Sequence, residues 1–294
     1  MSQLVRRIHS SLTREDVRSR PISALGRRLW WKLRWRIHRG DWALVLDNGL
    51  RIAAPHSGSA ALIYYLGTSD PVATTLLNAR LRPGMVVLDI GAHLGEYTLR
   101  ASRLVGRSGQ VHAFEPDPVM FDYLQQNAAR SPVENITVQQ AAIADQPGEM
   151  QFAVQSEPSI SSLVPTTGSL KRAPVRTITV PVQTIDGYCA EHGLERVDFI
   201  KIDIEGAELL ALRGAESLLS QPPGMAPAIY FEFAERLMRP FGYSGADVLE
   251  YLAGFGYTVF ESTDGATLIR VNITSGPAPT GPNLLAIKQP GRAG

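Results

Sequence analysis

The sequence predicts an α/β fold, a doubly wound and mostly parallel β-sheet with helices on both faces. Short apolar runs rich in β-branched residues recur along the chain, and most are separated by stretches long enough for a helix. Strands that are apolar throughout are typical of parallel sheets, because helices cover both of their faces. We predict strands at residues 86–90, 110–114, 136–140, 197–202, 228–233, 257–260 and 283–287.

Residues 1–40 are predicted to form a basic helical leader. They contain eleven Lys and Arg residues against two acids, which leaves about −8 on the rest of the chain. Leu29, Leu33 and Ile37 recur every four residues, which indicates a helix with an apolar stripe.

The leader could also contact a membrane through residues 27–39. Three of the four tryptophans lie there among arginines, namely Trp30, Trp31 and Trp35. This composition is typical of helices that lie at a lipid headgroup layer. A helix that docks on the catalytic domain or on a second subunit is the alternative, and the oligomeric state is not determined by the sequence.

Composition excludes several protein classes. The chain is 44% hydrophobic and 19% charged, which is ordinary for a globular protein and excludes disorder. The single cysteine, Cys189, cannot form an internal disulfide, and there is no apolar run of 18 residues or secretory signal pattern. We therefore expect a cytoplasmic protein, which could be peripheral at the inner membrane face.

Residues 41–290 are predicted to form one α/β domain. It begins with a hairpin at residues 42–52, which has an Asn-Gly turn, and a helix is expected near residues 70–80. Residues 148–182 interrupt the alternation of strands and helices with Ser-, Thr- and Pro-rich sequence, and we interpret them as an insertion or lid.

A glycine loop follows the first predicted strand of the domain. Gly91 and Gly95 stand between that strand and a helical pattern at residues 97–105, where glycines let the backbone turn sharply and approach a ligand. The spacing Gly-x-x-x-Gly lacks the Gly-x-Gly of the dinucleotide fingerprint, which disfavours a nicotinamide or flavin site. By itself, the glycine pair could be a structural turn.

An acid at the end of the next strand strengthens the prediction of a ligand site. Glu115 lies 24 residues after Gly91, so the doubly wound sheet should place its carboxylate beside the glycine loop. There it could accept both ribose hydroxyls of an adenosine-type cofactor. The alternative is an acid at a helix N-terminus, a role that Asp117 could fill for residues 118–130.

The end of the third strand is the expected place for contacts to an adenine edge. The backbone of Ala142 and the carboxylate of Asp145 are the candidates. Asp145 could equally stabilise a turn at residues 145–148.

An acidic cluster follows the fourth strand. Asp203, Glu205 and Glu208 come directly after a buried strand, and Glu232 ends the neighbouring one. Asp203 and Glu232 should face each other at adjacent strand tips and could hold a proton or a divalent cation such as Mg²⁺. Alternatively, Glu205 and Glu208 could cap the helix that follows.

Four motifs together resemble the FkbM family of class I S-adenosylmethionine-dependent methyltransferases, which have a Rossmann-like fold. They are Leu88-Asp-Ile-Gly-Ala-His-Leu-Gly-Glu-Tyr-Thr98, Phe114-Glu-Pro-Asp117, Phe199-Ile-Lys-Ile-Asp-Ile-Glu-Gly-Ala-Glu208 and Asn283-Leu-Leu-Ala-Ile287.

The resemblance implies S-adenosylmethionine as the cofactor. Asp89, Gly91 and Gly95, with Ala92 and His93 of the same loop, would frame its methionine part. Glu115, with Pro116, would hold its ribose. His93 departs from the family pattern, in which such loops often have asparagine.

The resemblance also implies O-methylation of a hydroxyl on a sugar, glycolipid or secondary metabolite. Asp203, Glu205, Glu232 or His93 could remove the hydroxyl proton, and Asp203 is favoured. The alternatives are a non-catalytic cofactor-binding subunit and a nicotinamide-dependent oxidoreductase. Nucleic acid is not expected as a partner, because residues 41–294 are net acidic and would repel phosphates.

Overall fold

A computed structural model describes residues 21–37, 40–165, 173–272, 279 and 281–289. The chain divides into two compact units, residues 1–70 and 71–294. Parts of two predicted segments lie outside the described residues: residues 1–20 and 38–39 of the leader, and residues 166–172 of the insertion.

The first unit contains the predicted leader helix and hairpin. Its elements are helix α1 (Pro21–Ile37), strands β1 (Trp42–Val45) and β2 (Arg51–Ala54), and helix α2 (Gly58–Leu66). The strands pair antiparallel across the predicted Asn-Gly turn, where Gly49 has a left-handed φ of 83° and Asn48 Oδ1 accepts the Leu50 N–H at 3.1 Å.

The helix α1 packs within its unit through a tryptophan and not through the predicted apolar stripe. Trp31 is buried, and its ring lies 5.0 Å from the rings of both Trp42 and Tyr64. The stripe residues Leu29, Leu33 and Ile37 are all exposed.

The second unit contains the predicted doubly wound sheet. Over the described residues this sheet has eight strands, which are β3 (Val86–Ile90), β4 (Gln110–Phe114), β5 (Ile136–Gln139), β10 (Phe199–Ile202), β11 (Ala228–Glu232), β12 (Tyr257–Glu261), β13 (Ile269–Arg270) and β14 (Asn283–Lys288). Their order across the sheet is β13-β12-β14-β11-β10-β3-β4-β5.

Pairing in this sheet confirms the predicted fold class. The strands β5, β4, β3, β10 and β11 are all parallel, and their order is the 3-2-1-4-5 order of doubly wound sheets. The strand β14 enters antiparallel between β11 and β12.

The helices of the unit are α3 (Pro71–Arg80), α4 (Glu96–Val105), α5 (Pro118–Ala129), α6 (Ile185–Glu191), α7 (Glu208–Arg213), α8 (Glu216–Ser220), α9 (Glu235–Met238) and α10 (Gly245–Gly254).

The segment predicted as an insertion forms most of a second sheet. Its strands are β6 (Ala142–Ile143), β7 (Gly148–Val154), β8 (Ser162–Leu163) and β9 (Arg176–Gln183). The long strands β7 and β9 pair antiparallel, and β6 joins them by pairing parallel to β9.

Both faces of the central strands are buried, as their composition predicts. Leu88, Ile200 and Phe231 pack into a core on one face, whereas Val87 and Phe199 pack into a core on the other. Burial of each such side chain contributes about 1.5–3 kcal/mol. The core therefore holds the strand ends, and the loops that follow them, in fixed positions.

Across the described ranges, no helix combines the length and the apolarity that crossing a membrane requires.

Candidate functional site

The predicted site residues meet at one edge of the large sheet. The glycine loop follows β3, Glu115 follows β4, Asp203 follows β10, and Glu232 ends β11. Because these parallel strands are consecutive neighbours, their carboxyl ends lie side by side, where doubly wound sheets bind ligands.

The glycine loop passes very close to the loop after β10. Gly91 has a left-handed φ of 75°, and a Cβ at this position would lie 1.9 Å from the backbone oxygen of Asp203. No side chain fits there, so glycine is required. The N–H groups of Gly91 and Ala92 both donate to the Phe114 carbonyl, at 3.0 and 2.9 Å, which ties the loop to the end of β4.

Gly95, the second glycine of the loop, has a structural role at the start of α4. Its φ is 91°, and an added Cβ would lie 2.9 Å from Cδ1 of Leu124 on α5. Both glycines of the motif therefore permit close packing around the loop.

Asp89 lies near the end of β3 and is buried. Its Oδ2 accepts a hydrogen bond from the Thr98 hydroxyl at 2.6 Å. Its Oδ1 makes no hydrogen bond to any residue that the structure describes, although the Lys201 ammonium is 3.5 Å away. Asp89 thus offers a buried acceptor atom at the site.

Glu115 holds the glycine loop in place. Its Oε2 accepts the His93 N–H at 2.8 Å, and its Oε1 accepts the Asp117 N–H at 2.8 Å. Burial raises the pKa of Glu115 to about 7, against the opposing effect of these two hydrogen bonds. The carboxyl therefore titrates near neutral pH.

The helix-capping alternative applies to Asp117 and not to Glu115. Asp117 Oδ1 accepts the Val119 N–H at 2.9 Å at the start of α5. Between the two acids, Pro116 is buried.

His93 has an uncommon backbone conformation for a residue other than glycine, with a φ of 53°. The side chain is half-buried, and its Nε2 is a buried atom without a hydrogen-bond partner in the described part of the chain. Burial lowers the pKa of His93 to about 4, although the charge of Asp203 opposes this shift. The imidazole is therefore neutral at pH 7.

The structure brings the three predicted acids together. Carboxylate oxygens of Asp203, Glu205 and Glu232 lie within 4.8 Å of one another, with Asp203 exposed and the other two half-buried. Burial, and then the charge of Asp203, raise the pKa of Glu205 to about 8 and that of Glu232 to about 9. Burial and the neighbouring charge thus favour the protonated forms of Glu205 and Glu232 near neutral pH.

Backbone strain and an unpaired atom also mark this cluster. Glu205 has a φ of 55°, a left-handed conformation that is uncommon outside glycine and often found at functional sites. Glu232 Oε2 is buried and finds no hydrogen-bond partner among the described residues.

Glu208 shapes the loop after β10. Its Oε1 accepts the N–H groups of Ile204 and Gly206, at 3.3 and 3.1 Å. The Tyr243 hydroxyl donates to the Gly206 carbonyl and accepts the Leu209 N–H at 3.1 Å. Glu208, the last residue of the fourth-strand motif, therefore holds the backbone of this loop. Tyr243 holds the same loop, and sequence patterns alone did not identify it.

Lys201 lies inside the fourth-strand motif, where the sequence indicates a residue that packs or forms a structural pair and does not assign it to the site. Its buried ammonium lies 3.5 Å from Asp89 Oδ1 and 3.5 Å from Asp203 Oδ2, and donates to the Gly91 carbonyl at 3.3 Å. Burial lowers the pKa of Lys201, but the two carboxylates more than offset this effect and raise it overall. A lysine inside an apolar strand was the sequence signal for this role, because a buried charge requires partners of opposite charge.

The two residues predicted near an adenine edge lie beyond the end of β5. Ala142 is buried in β6 and pairs with Val182 in the second sheet. Asp145 is half-buried and follows β6.

Comparison with known proteins places the chain in a family. Residues 89–259 match the model of the methyltransferase FkbM domain. The chain is 27% identical to the 31-O-demethyl-FK506 methyltransferase FkbM of Streptomyces tacrolimicus, over 75% of this chain and 90% of the relative.

Two other relatives align over shorter stretches. The 2-O-methyltransferase NoeI of Sinorhizobium fredii is 27% identical over 53% of this chain and 65% of the relative. The hexuronic acid methyltransferase AglP of Haloferax volcanii is 27% identical over 46% of this chain and 51% of the relative.

A solved structure of an O-methyltransferase from Thermotoga maritima aligns over 85% of this chain and 78% of that one. The two chains are 14% identical with a TM-score of 0.41, a similarity too weak to bear on the site. The family model, in contrast, spans more than half of the chain and contains the glycine loop, Glu115 and the acidic cluster. The chain therefore belongs to the FkbM family of methyltransferases.

Proposed function

We propose that this methyltransferase uses S-adenosylmethionine to methylate a hydroxyl group of a sugar, glycolipid or secondary metabolite. The names of three relatives support this acceptor class, since they mention 31-O-demethyl-FK506, a 2-O position and a hexuronic acid.

The residues around the glycine loop fit this cofactor. Asp89, Gly91, Ala92, His93 and Gly95 would hold its methionine part. Asp89 Oδ1 accepts no hydrogen bond from the described residues and could accept one from the ammonium group of the cofactor.

The carboxylate of Glu115 would hold the ribose, with Pro116 beside it. Each Glu115 oxygen accepts one backbone N–H, which leaves one acceptor position on each oxygen for a hydroxyl. Ala142 and Asp145 remain the candidates for adenine contacts.

The observation that carries the proposal is the contact between Gly91 and Asp203. The backbone of Asp203 occupies the space that a Gly91 side chain would need, so the cofactor loop and the acidic cluster form one site. A methyltransferase needs this arrangement, because donor and acceptor must be aligned within bonding reach.

The acidic cluster would deprotonate the acceptor. S-adenosylmethionine supplies an electrophilic methyl group, and a hydroxyl oxygen attacks it well only when its proton leaves. Asp203 is the exposed member of the cluster, so it would take that proton. Glu205 and Glu232, whose protonated forms are favoured near neutral pH, would donate hydrogen bonds to the acceptor and orient it.

The same three acids could instead hold a divalent cation. Their oxygens lie within 4.8 Å of one another, and carboxylates are the ligands that Mg²⁺ prefers. Titration with Mg²⁺ in the presence of S-adenosylmethionine tests this variant of the proposal. Heat of binding that Glu232→Gln abolishes would support it.

Calorimetric titration with S-adenosylmethionine and with its demethylated product tests the cofactor. We expect micromolar binding that is lost in Asp89→Ala and Glu115→Ala. A folded sample that binds neither compound would contradict the proposal.

Transfer of a labelled methyl group to a panel of sugars and hydroxylated metabolites tests the acceptor. We expect Asp203→Asn to abolish turnover and keep cofactor affinity, whereas Asp122→Asn, at an exposed position on α5, should change neither. Full turnover by Asp203→Asn would remove Asp203 from the mechanism.

A further inference from the structure

The leader helix α1 has an exposed apolar face. Leu29, Trp30, Leu33 and Ile37 are 62%, 52%, 49% and 68% exposed. At about 100° per residue, they fall within an arc of about 100° around the helix. They therefore form a single continuous face, and large apolar side chains grouped in this way mark a binding surface.

This face is not the one that packs inside the first unit. Trp31, on the other side of the helix, is buried against the rings of Trp42 and Tyr64. Arg27 adds a hydrogen bond to the Tyr65 carbonyl at 3.4 Å. The helix is thus anchored on one side and presents its apolar face on the other.

Positive charge borders the apolar face. Arg36 is exposed and lies about 20° beyond Leu29, and Arg34 lies about 40° beyond Trp30, with its guanidinium 3.7 Å above the Trp42 ring. Residues 21–37 contain no acid, and the whole segment 1–40 contains eleven Lys and Arg against two acids.

We propose that this face of α1 binds the surface of an anionic lipid membrane. Such a surface offers an apolar layer for the tryptophan and aliphatic side chains, and negative headgroups for the exposed Arg36 and the net positive charge of residues 1–40. A second copy of the chain would instead bring two basic segments together, and their charges would repel. The proposal is independent of the methyl-transfer chemistry.

Co-sedimentation of the full chain with lipid vesicles tests the proposal. We expect binding to vesicles of phosphatidylcholine with 25% phosphatidylglycerol, weak binding to pure phosphatidylcholine, and weaker binding in 0.5 M NaCl because salt screens the arginines. Leu33→Glu and Ile37→Glu should each reduce binding on the order of tenfold or more, since each removes an apolar contact and adds a negative charge.

The matched control is Met225→Glu, which changes an exposed apolar residue of the second unit (47% exposed) and should bind like the wild type. Ile37→Trp, which keeps the face apolar, should bind at least as tightly as the wild type. Equal binding by Leu33→Glu and Met225→Glu, or no preference for anionic vesicles, would overturn the proposal. A dimer of the wild type that Leu33→Glu dissociates in sedimentation velocity would also overturn it and assign the face to a second copy.

Discussion

The ammonium of Lys201 and the carboxylate of Asp203 form an ion pair at 3.5 Å, although the lysine is buried and the aspartate is exposed to solvent. Lys201 is buried within β10, whereas the Asp203 side chain is 45% exposed at the strand's end. The same ammonium reaches Asp89 Oδ1 and the Gly91 carbonyl on the neighbouring strand and loop. Lys201 therefore connects the cofactor loop to the acidic cluster.

Replacement of Lys201 by methionine should destabilise the protein. It leaves Asp89 buried without its cation, and breaking a buried pair in this way costs about 3–5 kcal/mol. Because ~1 kcal/mol shifts the Tm by about 2–4 °C in a unit of this size, we expect a Tm lower by about 10 °C in thermal denaturation at pH 7.

Arg239→Met is the control for this change, because Arg239 pairs with Glu235 at 2.8 Å and the two side chains are 71% and 42% exposed. An exposed pair contributes about 0–1 kcal/mol, so its Tm should stay close to that of the wild type. Similar Tm values for the two variants would contradict the structural role of Lys201.

Replacement of Gly91 by alanine should abolish cofactor binding. The new methyl group would lie 1.9 Å from the Asp203 backbone oxygen, so the loop must move by more than 1 Å. Displacements of this size reduce function about 100-fold. Calorimetric titration with S-adenosylmethionine measures the loss.

Gly84→Ala is the control that distinguishes the effect of this clash from the effect of backbone strain. Gly84 also has a left-handed φ, of 88°, but its added Cβ would meet only Ser108 Oγ, at 3.7 Å. We expect Gly84→Ala to lose ~1–2 kcal/mol of stability from the strained conformation. Gly91→Ala should lose more, because the clash adds to the strain, and only Gly91→Ala should lose affinity. Wild-type affinity in Gly91→Ala would show that the loop does not contact the cofactor.

Affinity for S-adenosylmethionine should rise with pH between 6 and 8. The pKa of Glu115 is raised to about 7, and only its ionised form offers two acceptors to the ribose hydroxyls. We expect an increase of about 3–10-fold, since one unit of pKa difference between free and bound states corresponds to a factor of ten. Titrations across this range should show the increase in the wild type and a flat profile in Glu115→Gln. A flat wild-type profile would exclude Glu115 as the titrating ligand.

Replacement of Glu232 by glutamine should stabilise the protein at alkaline pH. The folded pKa of Glu232 is raised to about 9, so its proton stabilises the fold at low pH, and this contribution is lost as the pH rises toward 9. Glutamine stays neutral throughout. We expect a Tm about 2–4 °C above that of the wild type at pH 8.5, and a smaller difference at pH 5. The exposed Glu195→Gln should show no such trend, and a uniform gain at both pH values would argue against the pKa shift.

Local patterns were sufficient to predict the doubly wound sheet. Apolar runs predict seven of the eight described strands of this sheet within one or two residues and miss only the two-residue β13. Gly91, Gly95 and Glu115 were singled out because turn chemistry and strand ends follow from neighbouring residues. Local patterns did not predict which side of the leader helix packs, because one tryptophan can be buried as readily as three aliphatic residues. The structure buries Trp31 and exposes Leu29, Leu33 and Ile37.

By itself, the sequence determined the fold class, the glycine loop, and the acids at the ends of the strands, because each depends on short-range periodicity. Only the tertiary structure decided that β10 lies beside β3, which brings Lys201 to Asp89 across 112 positions of sequence. It also decided that Asp203, Glu205 and Glu232 come within 4.8 Å of one another, which helps to raise the pKa of Glu232. Distances and burial of this kind depend on which strands become neighbours, and that choice is made by packing of the whole core rather than by any single segment.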